Sequence, residues 1–318
     1  MIRKPNDIVD KEKNIRILLA GYPGIGKSTL GLSAPNPLHI DVDFGIDRIE
    51  PRYRKPYIQP RSYDEILQDL VPDNVQDYDT LVFDTGGKLI SLISLWAIKK
   101  DSRYGQRDGS LSLKGYGFVG KEFVRLMDYC FYELHKHIVI IFHAIEDKDG
   151  DNVRLRIKVE GQTKNNVWEP MDLGGFVEIH GDNRTIGFSN CERYFAKGTR
   201  GINGVHKIPE LSPESPNDFL SKLFSRYTSH SAKETEENAA EQAVYEKVMD
   251  DARTIISGII NAKTANSVVP KMKKIKHALS SEKEIRVLFN DKIKECNLIF
   301  DKETQKYTDT VAEETEAE

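Results

Sequence analysis

The stretch Gly21-Tyr22-Pro23-Gly24-Ile25-Gly26-Lys27-Ser28 directly follows the apolar run Ile15-Arg16-Ile17-Leu18-Leu19-Ala20. Strand, glycine-rich turn and helix start, in that order, are the context of a Walker A phosphate loop. Gly21, Gly24 and Gly26 let the backbone curl until successive N–H groups point inward at a phosphate. The helix starting near Lys27 adds the positive end of its dipole. Lys27 is expected to reach the β- and γ-phosphates of ATP, and the Ser28 hydroxyl to ligate Mg²⁺. Gly21, Pro23, Gly24, Ile25, Gly26, Lys27, Ser28 and Thr29 form the expected nucleotide-binding set.

Further along, Asp79-Thr80-Leu81-Val82-Phe83-Asp84-Thr85 reads as an apolar strand ending in an acid. A carboxylate at the carboxyl end of a central strand can hold a Mg²⁺-bound water beside a nucleotide, the Walker B role. Asp84 is the second expected Mg²⁺ residue, and a helix N-cap is its alternative role. Leu38-His39-Ile40-Asp41-Val42-Asp43 puts two more acids at a strand end. Residues two apart share a face of an extended chain, so Asp41 and Asp43 are expected to point together. Asp43 is the candidate to orient or deprotonate the attacking water. The run His137-Ile138-Val139-Ile140-Ile141-Phe142-His143 ends in a candidate γ-phosphate sensor, His143. Cys130, His135, His137 and His143 match no zinc-ligand spacing.

Around these motifs, strands are expected over 15–20, 38–42, 80–84 and 137–143, and helices over 27–34, 62–71, 86–100 and 116–135. Short apolar strands alternating with helices imply an α/β domain with a mostly parallel sheet covered on both faces. Strands over 153–159, 175–180 and 184–190 follow, the last two joined at Gly181-Asp182-Asn183, and a short helix over 216–227 closes the domain. The expected organisation is a core over 1–227, a linker over 228–240, a helical region over 241–300 and a disordered acidic tail over 301–318. Pro270 is expected in a first helical turn or at a break. No apolar run approaches a membrane span. Three cysteines without a Cys-x-x-Cys suit a reducing compartment, and a cytoplasmic location is expected. The net charge of −4 belongs wholly to residues 231–318, since 1–230 are balanced at 32 basic and 32 acidic residues. Nucleic-acid binding must therefore come from local loops.

Two polar segments qualify. Residues 101–115 carry Arg103, Tyr104, Arg107 and Lys114, and residues 145–166 carry Lys148, Arg154, Arg156, Lys158 and Lys164. Cations with an aromatic suit single-stranded DNA, with Arg103, Arg107, Arg154 and Arg156 as the phosphate contacts. Lys197 and Arg200, on a glycine-flexed segment, are placed to reach a phosphate, including one on a neighbouring subunit.

This order of parts resembles the RecA-like recombinase core, a P-loop ATPase fold. The carriers are the 21–28 loop, the acid at Asp43, the Asp84 strand, and a strand ending in His143 flanked by two polar loops. A hairpin over 175–190 and a basic segment over 194–200 complete the series. The compact core most resembles phage-encoded ATP-binding proteins of the Sak-four type. That resemblance implies a DNA-stimulated ATPase acting in single-strand annealing or recombination, in the cytoplasm of a bacterial host. It also implies a filament or ring with ATP between subunits, where Lys197 and Arg200 would complete a neighbour's site. The C-terminal helices and acidic tail are candidate surfaces for a protein partner. The family's residue at Asp43 is usually Glu, and its sensor at His143 is usually an amide. The same loop also fits a small-molecule kinase, a nucleotide-switched adaptor and a helicase-like motor.

Overall fold

A computed structural model describes residues 14–149, 152–159 and 163–309. Its elements are β1 (Arg16–Gly21), α1 (Lys27–Gly31), β2 (Pro37–Asp41), β3 (Tyr57–Ile58), α2 (Tyr63–Asp69), α3 (Pro72–Val75), β4 (Thr80–Asp84), α4 (Gly86–Lys100), α5 (Leu113–Asp128), β5 (His137–Asp149), β6 (Asn152–Ile157), α6 (Thr163–Trp168), β7 (Leu173–His180), β8 (Asn183–Gly187), β9 (Val205–Lys207), α7 (Phe219–Ser257), α8 (Ala262–Met272), α9 (Ser281–Glu295), β10 (Leu298–Asp301) and β11 (Lys306–Asp309).

The main sheet runs β3-β2-β4-β5-β1-β7-β8-β9, with β6 added to the end of β5. The strands from β3 to β7 pair in parallel. β6, β8 and β9 pair antiparallel. This is the mostly parallel α/β architecture that the sequence implies. Successive side chains of a strand enter opposite faces, and the two cores sort accordingly. Leu18, Ile138, Ile140 and Phe142 face α2, α4 and α5 through Ile66, Leu89, Ile93 and Phe123. Ile17, Leu19, Val139 and Ile141 face α1 and the start of α7 through Leu30, Leu220 and Phe224. The start of α7 is pinned to the end of α1: Asn217 donates to Thr29 O at 2.8 Å and Ser221 Oγ to Ser33 O at 2.8 Å.

The chain divides into two compact units between Ser231 and Ala232, inside α7. The second unit has its own core of Met249, Ala252, Ile256, Ala265, Val268, Ile285 and Leu298. Asn261 and Thr264 form a capping box at the start of α8. Among the described residues no helix is long and apolar enough to cross a membrane.

Four expectations need correction. Residues 228–240 are helical, because no glycine or proline interrupts the chain between Pro216 and Gly258 and Ala, Glu and Lys are good helix formers. The loop over 145–166 is in large part a β-hairpin, in which the strand expected over 153–159 forms as β6 against the end of β5: Leu155 and Ile157 are buried while Arg154 and Arg156 alternate outward. Residues 301–309 are not tail but part of the β10–β11 hairpin, and 310–318 lie outside the described residues. Pro270 sits in the last turn of α8, where one lost hydrogen bond costs little before the helix ends.

Phe123 is fully buried in α5, whereas Leu113 is 93% exposed at the start of the same helix. Phe123→Ala should lower unfolding free energy by about 3–5 kcal/mol. Leu113→Ala should stay within about 0.5 kcal/mol of wild type. Denaturant midpoints of the two variants check both values.

Candidate functional site

The parallel register puts the expected catalytic side chains at one edge. Gly21 pairs with His143, and Asp84 pairs with both Ile141 and Asp41. The ends of β1, β4 and β2 therefore lie side by side with His143, about 4.8 Å apart from strand to strand. β5 does not end at His143 as the sequence suggests but runs on to Asp149, because residues 144–149 pair with β6. β5 stands between the phosphate-loop strand and the Asp84 strand, so His143 occupies the middle of the row.

The loop leaves β1 at Gly21, where a Cβ would lie 2.7 Å from the Val177 carbonyl oxygen on β7. Gly24 and Gly26 take φ values of 78° and 84°, the left-handed region open to glycine. Lys27 is 4% exposed. Its Nζ donates to Tyr22 O at 2.7 Å and stands 3.5 Å from His143 Nδ1. Burial pulls its pKa down to about 8, against the opposing charge of Asp84. His143 is also held below the ordinary imidazole value, first by burial and then by Lys27, with Asp43 and Asp84 opposing.

Asp84 is buried beside the Ser28 hydroxyl. Burial alone would raise its pKa, but hydrogen bonding by His39 and Ser28 and the charges of His39 and Lys27 outweigh that and hold it below the usual carboxylate value. Thr85, not Asp84, caps α4 by accepting from Lys88 N at 3.4 Å. His39 was missed by the sequence reading. It is fully buried in β2, with Nε2 3.5 Å from Asp84 Oδ2, the outer limit of a hydrogen bond. A histidine two residues before an acid on a strand bound for a parallel sheet was the available signal.

Asp41 and Asp43 do not act together. β2 ends at Asp41, so the two-residue alternation stops there. Asp41 is buried and accepts from Gly45 N, Ile46 N and Gln59 Nε2 at 2.8, 2.9 and 2.8 Å, closing the turn after β2. Asp43 stays near the surface, paired with Arg48 at 2.7 Å. It lines a cavity of about 450 Å³ with Thr85, Lys88, His143 and Lys158.

The basic candidates separate into different places. Arg103 is held by Asp101 at 2.7 Å, Arg107 is exposed, and Tyr104 stacks on Phe118 with centroids 4.4 Å apart. Arg154 and Arg156 instead line a cleft of about 1040 Å³ that also contains Lys164, Trp168, Phe195 and Lys197. Arg156 pairs with Asp147 at 2.9 Å. Lys197 pairs with Gly174, and Gly174 pairs with Leu18, three residues before Gly21 on β1. Arg200 lies over the Tyr227 ring at 5.1 Å. Neither Lys197 nor Arg200 is brought to its own chain's phosphate loop.

A Mg²⁺-nucleotide fits the residues present. The loop offers glycine-shaped backbone, a buried ammonium, and a hydroxyl beside a carboxylate held below its usual pKa, which is a hard-oxygen donor set. A family described as AAA domain matches residues 13–200, more than half of the chain. The chain belongs to the AAA domain family. With its phosphate loop, it is a P-loop ATPase. No curated protein matches it. Among solved structures it is similar to the RadB recombinase, at 13% identity over 54% of this chain and 79% of that one, with a TM-score of 0.32. It is also similar to the KaiC-like protein PH0186 from Pyrococcus horikoshii OT3, at 12% identity over 62% and 90%, with a TM-score of 0.33.

The shifted Lys27 makes the site sensitive to pH. Below about pH 8 its ammonium is charged and attracts phosphate, and above it the attraction fades. Stability runs the other way: the folded pKa lies below the ordinary lysine value of 10.5, so between about 8 and 10.5 the unfolded chain holds the extra proton and this group's contribution rises with pH. ATP affinity, followed by calorimetry, should be level up to about pH 7.5 and weaken above about 8, while Lys27→Arg should stay level because guanidinium remains protonated. A level profile for the wild type would separate Lys27 from the phosphate.

Proposed function

We propose that the protein binds Mg²⁺-ATP on the 21–28 loop and hydrolyses it to act on single-stranded DNA, in recombination or annealing of the phage Sak-four type. In this reading it works in the host cytoplasm as a filament or ring. The observation that carries the DNA half is the 1040 Å³ cleft, where Arg154, Arg156, Lys164 and Lys197 surround the edge-to-face pair Trp168–Phe195. Cations for phosphates beside aromatic faces for bases are the chemistry of single-strand binding. Acids are present too: Asp147, Glu169 and Glu192 share the lining, which favours a flexible, weakly charged strand over tight electrostatic capture. Arg103 and Arg107 would be a separate, outer contact.

At the nucleotide, Lys27 would hold the β- and γ-phosphates, with Ser28 and Asp84 the Mg²⁺ residues. The metal, when bound, neutralises charge on the phosphate oxygens. Asp43 would position the attacking water and accept its proton, and Arg48 would hold Asp43 in place. His143, neutral at pH 7, would donate a hydrogen bond to the γ-phosphate. Lys197 and Arg200 would act on an adjoining copy, a role supported by the placement of Lys197 in the cleft and of Arg200 over the Tyr227 ring. The second unit would bind a protein partner.

One observation favours a second reading, a phosphoryl transferase. The 450 Å³ cavity beside Asp43 and His143 also carries Lys88 and Lys158, suiting a small anionic acceptor. Release of free phosphate in proportion to ATP consumed would exclude it.

Lys27→Ala should abolish hydrolysis with the fold intact. Asp43→Asn should slow hydrolysis about a hundredfold or more while ATP binding persists. Loss of binding in Asp43→Asn would remove it from the chemical step. Arg154→Ala and Arg156→Ala should each weaken single-stranded DNA binding and lower the salt slope by about one contact. An unchanged slope for both would leave the cleft without DNA. Mixing Lys197→Ala with Lys27→Ala protein should restore part of the ATPase activity through mixed junctions. No recovery in a co-assembled mixture would place Lys197 outside the neighbour's site.

A further inference from the structure

Arg184 stands in none of the roles above, yet it sits on the phosphate loop. It is the second residue of β8, one beyond Asn183 after the two-residue turn Gly181-Asp182, and pairs with Ile179. It shares a face of β8 with Ile186, which lies in the core beneath α1. Its guanidinium therefore projects toward the start of that helix. A Cβ added at Gly26 would collide with Arg184 Nη1 and lie 3.4 Å from its Cζ. Gly26 immediately precedes Lys27, so this cation packs against the backbone that curls around the phosphate.

Two glycines of the loop thus make room for one hairpin. Gly21 admits the β7 backbone at Val177, and Gly26 admits the Arg184 side chain from β8. The hairpin is anchored on both sides: β7 pairs with β1, and the Arg184 carbonyl accepts from Ile208 N at 2.8 Å. Arg184 is half-buried, and burial lowers its pKa. Among the described residues it forms no ion pair. Glu178, an acid on the same hairpin, lies on the other face, beside Arg193 at 3.2 Å and His180 at 3.6 Å. A desolvated guanidinium without a carboxylate, set against a phosphate-binding backbone, is a site for an anion.

We infer that Arg184 is a second cation for the phosphate chain of the nucleotide, supplied by the same chain and reaching over Gly26 from the β7–β8 hairpin. The inference rests on the reading of 21–28 as the nucleotide loop. Arg184 adds to Lys27 a planar donor fork, which suits bidentate contact to phosphate oxygens. It also ties the nucleotide to the hairpin, whose far strand continues into the segment carrying Lys197 and Arg200.

The test compares wild type with Arg184→Ala, Arg184→Gln, Arg184→Lys and Lys27→Ala, measuring binding of ATP, ADP and inorganic tripolyphosphate. Arg184→Ala and Arg184→Gln should each weaken all three ligands about tenfold or more, with partial recovery in Arg184→Lys. Melting temperatures should not fall, since the side chain loses no ion pair. Arg184→Gln keeps most of the aliphatic stem, removes the guanidinium that packs over Gly26, and carries the test if Arg184→Ala does not fold. Wild-type affinity in the Arg184 variants, with binding lost in Lys27→Ala, would overturn this inference alone. Loss of ATP binding with tripolyphosphate unchanged would also overturn it, by moving Arg184 to the sugar or base. Unchanged binding in Lys27→Ala would instead remove the nucleotide-loop reading on which it stands.

Discussion

The parallel register of β1, β5 and β4 is the constraint on which the site depends. It sets Gly21 opposite His143 and Asp84 opposite Ile141. A slip of one residue in any of these strands would turn its buried side chains to the wrong face. It would also move an end residue about 3.3 Å along the sheet. The two cores prevent that slip, because Leu18, Ile138 and Ile140 enter one and Ile17, Val139 and Ile141 the other. Packing far from the edge thereby fixes the chemistry at the edge.

Charge is arranged around that edge with little exposure to water. Lys27 and Asp84 are both buried, and each opposes the other's desolvation. His39 Nε2 stands 3.5 Å from the carboxylate, the Ser28 hydroxyl lies beside it, and Tyr22 O accepts from the ammonium. Removing one member leaves an uncompensated buried charge, which costs far more than the net worth of the set. A polyphosphate brings negative charge to the cation side and a divalent ion brings positive charge to the carboxylate side. The loop is thus preorganised for both together. Arg184 extends the cation side from a second direction.

Much of this could be read from residues alone, and the exceptions have physical causes. The positions of Lys27 and Asp84 were legible because one ends a glycine turn and the other an apolar strand, whereas His143 ends only the apolar part of β5, which runs on to Asp149. His39 and Arg184 lie inside or at the start of strands whose neighbours only tertiary pairing decides. Asp41 was assigned the face of Asp43 because two-residue alternation was extended past the true end of β2. The helix through 228–240 was masked by its Ser and Thr, which mark turns only when a breaker accompanies them. In 145–166 the strand over 153–159 was legible from Leu155 and Ile157 alternating with Arg154 and Arg156, but the many charges hid its pairing with an extension of β5.

The sheet edge and the basic aromatic cleft lie in one unit, Asp10–Ser231, joined through β5, which carries His143 and continues into the hairpin holding Arg154 and Arg156. A strand of DNA in the cleft and a phosphate beside His143 therefore bear on the same β-strand, and each should report on the other. The most direct measurement is steady-state phosphate release from Mg²⁺-ATP with and without single-stranded DNA, in wild type and in the Arg154→Ala, Arg156→Ala double variant. DNA should stimulate the wild type several-fold, and the stimulation should be lost in the double variant while the basal rate persists. Hydrolysis indifferent to DNA in the wild type, at DNA concentrations that saturate binding, would contradict it.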